Sequence, residues 1–343
     1  MNVDLLADNP RWTTYFYIAV PVFAIMMLAV VFLKHLREPL RRFSAAIPVP
    51  KTLLFGIKSK IQDEENQISS LAVHRRYKKL FFDAIRSGNA MAVNHLLSTG
   101  VVDVEWNDGE MTGLQYAAGS GERGIVQQLL VMRADVNAAP VANHGRTALQ
   151  AASGGGHLGV VERLLEKGAN VNAEPAYSGG RTALQAASAE GHLGVVERLL
   201  EKGANINAAP AACDGRTALQ AASGGGHLLV VERLLEKKAN VNAAPAEYRG
   251  RTALQAASEG GHLAVVERLM EKKAGVNAAP AVYKGRTAIQ AASERGHLAV
   301  MERLLEKKAN VNAAPAEKYG RTALQAVFYI VQSVRPEPRT GLD

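Results

Sequence analysis

The sequence is poor in cysteine and in aromatic residues. Cys213 is the single cysteine among 343 residues, so no disulfide can form within the chain, and aromatic residues make up only 6%. An Asn-x-Ser/Thr sequon, the acceptor of N-linked glycans, is also missing. The absence of an intrachain disulfide and the absence of a sequon are both typical of a polypeptide that faces the cytosol.

Recognisable catalytic motifs are absent as well. The glycine runs at 154–156 and 224–226 lack the Gly-Lys-Ser/Thr ending of a phosphate-binding loop, and no Ser, His and Asp constellation lies outside the repeated segments. We therefore predict no enzyme activity and no cofactor.

Five histidines recur at a constant spacing, at His157, His192, His227, His262 and His297. Equivalent positions in stacked helical units lie about 10 Å apart, which is too far for two of these rings to share a metal ion. We predict no metal site and a structural role for these histidines at the turn between two helices.

What the sequence has in abundance is repetition. An Arg-Thr pair recurs every 35 residues without drift, beginning at Arg146, Arg181, Arg216, Arg251, Arg286 and Arg321. A period of roughly 20 to 50 residues indicates supersecondary units that cannot bury their apolar faces alone and stack on their neighbours. The function of such a chain is expected on a surface.

The repeated motifs TALQAAS, GHL, VVERLLEK and NVNA resemble the ankyrin repeat. The T-P-L-H-x-A box of that family stands here as TALQAA from Thr147, with Ala and Gln in place of the usual Pro and His. Five full copies are present, a degenerate copy begins at Met111, and a weaker one begins at Leu80. The resemblance implies an all-α ankyrin-repeat solenoid over residues 80–325, with helix-turn-helix units and long finger loops. It would hold about seven units, the first degenerate, and a partial eighth.

Each unit carries its own folding signals. Thr147 and Gln150 have the spacing of a capping box, which starts a first helix, and the glycines that follow end this helix after about two turns. A second helix is predicted to bury one face, formed by Leu158, Val161, Leu164 and Leu165. Gly168 then stands where a left-handed residue is expected. In later copies a lysine replaces this glycine, at Lys238, Lys273 and Lys308. If the left-handed conformation is kept, each lysine should destabilise the fold by up to about 1 kcal/mol.

The finger between two units is longer than in the usual ankyrin repeat, which accounts for a period of 35 where about 33 is common. Each finger contains a proline, which removes a backbone donor: Pro140, Pro175, Pro210, Pro245, Pro280 and Pro315. We predict open loops with little sheet pairing.

The differences between the copies are concentrated at two places. The first is the finger tip: Asn143 and His144, Tyr177 and Ser178, Asp214 beside Cys213, Tyr248 and Arg249, Tyr283 and Lys284, and Lys318 and Tyr319. The second is the end of the first helix, where charged residues replace small ones: Glu190, Glu259, Glu294 and Arg295. In ankyrin proteins these two regions line the concave face, so the resemblance implies that an unidentified protein partner binds there. The competing interpretation is that recent duplications have left unconstrained solvent positions.

The N-terminal region contains a candidate membrane span. After a short tail, 1–11, residues 12–33 form an uncharged run of 22, WTTYFYIAVPVFAIMMLAVVFL, enough for one transmembrane helix. Basic residues crowd its C-terminal end, so the positive-inside rule places the array in the cytosol as part of a single-pass membrane protein. A cleaved signal peptide, a buried core helix and a wrongly joined upstream exon are the alternatives.

Residues 34–79 are read as a basic juxtamembrane linker followed by a polar helix. They hold 11 Lys or Arg against 4 Asp or Glu, so most of the net charge of +8 is local. Such a cluster favours binding to anionic lipid, which is expected here at residues 34–42. Nucleic acid is disfavoured as a partner, because the basic residues lack interleaved aromatics and the array is nearly neutral.

The C-terminal end, 326–343, departs from the repeat. After Gln325 an apolar run, AVFYIVQ, replaces the glycine turn, and no second helix follows. This ending favours a truncated sequence over an improvised lid. As a whole, the sequence predicts a non-catalytic protein-protein interaction scaffold on the cytosolic side of a membrane. The similarity of the copies resembles the duplicated arrays of fungal signalling and immunity-type receptors, and a ligand-sensing fragment of such a receptor is the alternative.

Overall fold

The computed structural model describes residues 72–140, 145–176, 179–211, 215–317 and 322–325. The chain divides into two compact units, Met1–Val73 and His74–Asp343, so nearly all described residues belong to the second. In the described segments no helix combines the length and apolarity that a membrane span requires. The tail 1–11, the predicted span 12–33, the lipid-binding candidate 34–42 and the C-terminal end 326–343 all lie outside the described residues.

The described part of the second unit is built from short helices. Residues 72–86 are helical, and Ala90–Ser98 follows. From there a first helix of seven or eight residues alternates with a second helix of nine: Gly113–Gly119 with Arg123–Val131, Ala148–Gly154 with Leu158–Glu166, Ala183–Ala189 with Leu193–Glu201, Ala218–Gly224 with Leu228–Glu236, Ala253–Gly260 with Leu263–Glu271, and Ala288–Arg295 with Leu298–Glu306. We name each unit by the threonine that caps its first helix, from Thr112 to Thr287. The described segments contain two isolated β-bridges and no strand, so the predicted all-α array is confirmed.

The first helix of each unit starts at the predicted capping box. In the Thr217 unit the threonine hydroxyl accepts a hydrogen bond from the backbone N–H of Gln220 at 3.3 Å, and the backbone N–H of Thr217 donates to Gln220 Oε1 at 3.0 Å. The amide Nε2 of Gln220 also donates to the carbonyls of Ala243 and Ala244, each at 3.1 Å. The glutamine, only 1% exposed, therefore starts the helix and fixes the beginning of the next finger.

Small residues let neighbouring first helices pack closely. Ala221 and Ala222 are buried, and a Cβ placed on Gly224 would lie 3.5 Å from the Cβ of Ala256 in the next unit. First helices contact first helices of adjacent units, and second helices contact second helices. The array therefore has two layers, with the alanine-rich layer at close spacing.

The predicted core face of the second helix is partly wrong. Val161 and Leu164 are fully buried, but Leu158 is 39% exposed and Val160 is buried in its place. The helix begins at Leu158, and the face shared by residues 160, 161 and 164 is centred more than a quarter of a turn away from it. Leu165 lies at the edge of this face and is half-buried.

The left-handed position after the second helix is confirmed. Gly168 and Gly203 have φ of 84° and 83°, and the lysines that replace glycine in later units keep the same conformation, with φ of 68° at Lys238, 64° at Lys273 and 62° at Lys308. A side chain in this region costs up to about 1 kcal/mol. Stacking between units must offset that cost.

The repeated histidines have the predicted structural role. Nε2 of His262 lies 3.1 Å from the carbonyl oxygen of Gly224, at the first-helix end of the preceding unit, and the other four copies make the equivalent contact. The ring of His262 also packs against Gly226, where a Cβ would lie 2.5 Å from Nδ1. Gly226 has φ of 74°, so both its backbone and the neighbouring ring require glycine. This contact joins each unit to the next.

Replacing the capping glutamine tests how much the array depends on it. Gln220→Ala should lower the free energy of unfolding by about 2 to 4 kcal/mol, because it leaves buried backbone groups of the helix start and of the next finger without partners. Gln220→His, the residue usual in ankyrin repeats, should lose less than half as much because it keeps a donor and an acceptor. Urea denaturation of the full chain followed by circular dichroism measures both, and an unchanged midpoint for the alanine variant would contradict this assignment.

Candidate partner-binding surface

Two predicted finger tips are described, and they contact each other. The rings of Tyr248 and Tyr283 lie 5.8 Å apart at 38°, and the backbone N–H of Arg249 donates to the carbonyl of Tyr283 at 3.1 Å. The Arg249 guanidinium lies 5.5 Å from the centre of the Tyr248 ring. The described parts of the fingers contain no strand, but this parallel bridge joins the two fingers whose tips are described. The pair presents a composite aromatic and basic edge, with Tyr248 43% exposed.

In the two fingers whose tips are described, a tight backbone turn rather than the tip side chains sets the shape. A Cβ on Gly250 would lie 2.0 Å from the carbonyl oxygen of Ala246, and one on Gly285 would lie 2.2 Å from that of Ala281. The residue before each glycine is left-handed, with φ of 52° at Arg249 and 55° at Lys284. Because the turn depends on glycine and not on the tip, different side chains can be displayed on one scaffold.

The remaining predicted tips, Asn143, His144, Tyr177, Ser178, Asp214, Lys318 and Tyr319, lie outside the described residues. Their part in a binding surface stays a prediction.

The charged first-helix ends are engaged in ion pairs with the arginines of the Arg-Thr pairs. Glu190 lies 3.4 Å from Arg181, and both side chains are more than half exposed. Glu294 binds Arg286 through both carboxylate oxygens, with one Nη2 to Oε1 distance of 2.9 Å. A partner that contacts Glu190 or Glu294 would therefore meet a carboxylate that is already paired with an arginine.

Glu259 is the centre of a larger network. Its carboxylate binds Arg251 through both oxygens and lies 3.3 Å from Nη2 of Arg295 and 3.7 Å from Nη1 of Arg286. The Glu259 side chain is only 15% exposed. Sequence reasoning selected Glu259 and Arg295 but missed the arginines of the Arg-Thr pairs. The signal was available, because Glu259 and Glu294 each stand eight residues after the arginine of an Arg-Thr pair.

A shallow cavity of about 360 Å³ opens beside this network. The charged residues that line it are Arg216, Arg251, Glu259 and Arg295. The other lining residues have little or no side chain, and they are Gly224, Ala256 and Gly260. Burial lowers the pKa of Arg251, Glu259 raises it, and the nearby positive charges of Arg216, Arg286 and Arg295 lower it further. Several guanidinium groups are thus held close together around one carboxylate.

The second helices carry a different, ladder-like charge pattern. Arg233 lies 3.1 Å from Glu197 of the preceding unit and 3.3 Å from Glu236 of its own helix. Arg233 thus pairs both within its own helix and with the preceding unit. Exposed pairs of this kind contribute about 0 to 1 kcal/mol each. In the described segments no three His, Cys, Asp or Glu side chains are grouped so that they could hold a metal ion.

Comparison with known proteins gives one consistent family. A family model described as ankyrin repeats (3 copies) matches residues 80–175, 140–210 and 208–280, and a model of the single ankyrin repeat matches 284–314. A search of curated proteins finds no match. Among solved structures the array is similar to the human ASB11 ankyrin repeat domain, with 25% identity and a TM-score of 0.52 over 66% of this chain and 100% of that one.

The ion-pair network can be tested against an exposed pair in the same array. Glu259→Ala should lower the free energy of unfolding by about 1 to 2 kcal/mol, because it leaves a partly buried Arg251 without its carboxylate and removes the charge that separates three other arginines. Glu190→Ala should cost less than about 0.5 kcal/mol. Thermal and urea denaturation of both variants give the comparison, and equal effects would mean that the network adds nothing beyond a surface pair.

Proposed function

Because the chain belongs to the ankyrin repeat family, we propose that it is a non-catalytic scaffold that binds a protein partner through its finger tips and first-helix ends. Ankyrin repeats are generally protein-protein interaction modules, and their surfaces bind without a dedicated reaction centre. The partner-facing residues are those at which the copies differ. The array is displayed on the cytosolic side of a membrane.

The observation that carries this proposal is the contrast between buried and displayed positions. Val230 and Leu234 are buried, and the same residue types recur at the equivalent positions of all five full units. The tips instead carry Tyr248 and Arg249 in one finger and Tyr283 and Lys284 in the next, on the same glycine turn. Constant packing with changing surface chemistry favours a scaffold that diversifies its contacts.

The described tips also have the composition of a binding surface. Tyrosine and arginine are enriched in the parts of interfaces that contribute most to affinity, because they combine contact area with hydrogen bonding. The contact between the tilted rings of Tyr248 and Tyr283 reduces the rotamer freedom of both before any partner binds. A pre-ordered aromatic pair therefore loses less entropy on binding.

Membrane display rests on sequence alone. The uncharged run 12–33 and the basic residues that follow it support a single span with the array in the cytosol, and anionic lipid could bind residues 34–42. The alternative is a ligand-sensing fragment of a larger signalling or immunity-type receptor of fungal type, which has no need of an anchor.

Removing the described tip tyrosines tests the binding surface. Tyr248→Ala with Tyr283→Ala should reduce partner recovery by about tenfold, the effect of losing an interface hot spot, while the melting temperature changes by less than about 2 °C. Recovery is measured by cross-linking of the tagged full-length chain in cells, followed by quantitative mass spectrometry. Leu229→Ala is the control, because it removes a large apolar side chain that is 64% exposed from a second helix, away from the finger tips. Equal recovery with the tyrosine variant and with wild type would remove the fingers from the site.

Membrane display has a separate test. Full-length chain with a C-terminal tag should remain in the pellet after carbonate extraction, and protease added to intact membranes should digest the tag, because a 22-residue apolar run holds the chain while the array faces the cytosol. Deletion of residues 12–33 is the control and should release the protein. Release of the wild-type chain would favour the receptor fragment instead.

A further inference from the structure

We propose that the cavity lined by Arg216, Arg251 and Arg295 binds an anionic side chain from an acidic segment of the protein partner. The inference rests on the proposed scaffold function and names the chemistry that one part of its surface recognises. The shared ligand chemistry is a carboxylate or a phosphate carried on a peptide.

The first argument is a comparison between units. Arg251 and Arg286 each bind a glutamate eight residues later, and Arg181 pairs with one nine residues later. In the Thr217 unit both of these positions are glycine, Gly224 and Gly225. Arg216 consequently has no carboxylate partner among the described residues. Its guanidinium lies beside Gly224, at the end of the first helix of the same unit.

The second argument is charge. Arg216, Arg286 and Arg295 are close enough to Arg251 for their positive charges to lower its pKa, and two glutamates, Glu259 and Glu294, lie among these arginines. Glu294 pairs with Arg286, the carboxylate of Glu259 is shared by Arg251, Arg286 and Arg295, and Arg216 pairs with neither glutamate among the described residues. The cluster therefore holds an excess of positive charge that a further anion would relieve.

The third argument is space. Gly224, Ala256 and Gly260 contribute no side chain beyond a methyl group, so the cavity of about 360 Å³ has arginines at its sides and a small-residue lining between them. Nη1 of Arg216 lies 3.4 Å from the point that a Cβ of Gly224 would occupy. A carboxylate from a partner can thus reach the guanidinium that, in later units, an internal glutamate binds. Guanidinium groups bind carboxylate and phosphate with two parallel hydrogen bonds.

A peptide suits the site better than a nucleic acid. Among the described residues the cavity lining includes Glu259 and no aromatic side chain, whereas single-stranded nucleic acid is held by uniformly basic grooves with stacking platforms. The cavity is also open and shallow, which fits a side chain projecting from an extended segment.

A substitution copied from another unit of the same chain tests the site. Gly224→Glu reproduces the arrangement of the Thr252 unit, where a glutamate binds the arginine eight residues earlier, and Gly224 has no left-handed φ that would resist a side chain. The variant should fold, and the carboxylate it introduces should bind the Arg216 guanidinium in place of an external anion. Gly154→Glu makes the same change beside Arg146, away from the cavity, and is the matched control.

The experiment measures fluorescence anisotropy of labelled peptides with the full-length chain in detergent at low and physiological salt. A peptide of about eight glutamates, a phosphoserine peptide of equal charge, a lysine peptide and a deoxythymidine oligonucleotide are the probes. We expect the acidic peptides to bind, Gly224→Glu and Arg216→Ala to weaken binding by about tenfold, Gly154→Glu to change it by less than about twofold, and salt to weaken it. The tighter of the two acidic peptides identifies carboxylate or phosphate as the preferred group.

Three results would overturn the inference: neither acidic peptide binds, Gly224→Glu leaves their binding unchanged, or the oligonucleotide binds more tightly than a peptide of equal charge. Cross-linking in cells separates this failure from failure of the scaffold function. If Gly224→Glu keeps the partner that the tyrosine variant loses, the scaffold function stands and the anion site is wrong. If no partner is recovered with any variant while the acidic peptides bind as expected, the anion site stands and the scaffold function is wrong.

Discussion

The hydrogen bonds of one buried glutamine hold each unit in register. Gln220 closes the cap of its first helix with Thr217 and, through the other end of its amide, holds the carbonyls of Ala243 and Ala244 at the start of the next finger. The distance along the chain from helix start to next finger is thereby constant in every described unit. Extra length relative to the usual ankyrin repeat can be accommodated only in the finger, which is where surface chemistry varies.

A second constraint acts between units. The ring of His262 contacts a carbonyl and a left-handed glycine of the preceding unit, so each turn fits only against the ring that follows it. Together with thin alanine-rich first helices, this contact leaves little freedom in the stack. The differences between neighbouring units are concentrated at the finger tips and at the first-helix ends, where the histidine contacts a backbone carbonyl and leaves the side chain free to vary.

The same scaffold can in this way carry different electrostatic surfaces. The arginine before the capping threonine is constant from Arg146 onward, and the residue at the far end of the first helix decides what this arginine binds. With Glu259 the arginine is paired and partly buried, whereas beside Gly224 it faces an open cavity. A glutamate or a glycine at this position thus decides between an internal ion pair and a site for an external anion, and both fit the fold because a Cβ on Gly224 would meet Ala256 only at van der Waals distance, 3.5 Å.

Local features of this protein could be predicted from the sequence alone. The period, the capping box at Thr147 and the left-handed position at Lys238 depend on residues within one or two helical turns of each other, where spacing fixes geometry. Only the tertiary structure placed Leu158 outside the core, stacked Tyr248 on Tyr283 and gathered three arginines around Glu259. The two tyrosines are 35 residues apart, and how closely such groups approach depends on the rotation and spacing between stacked units, which no single unit encodes.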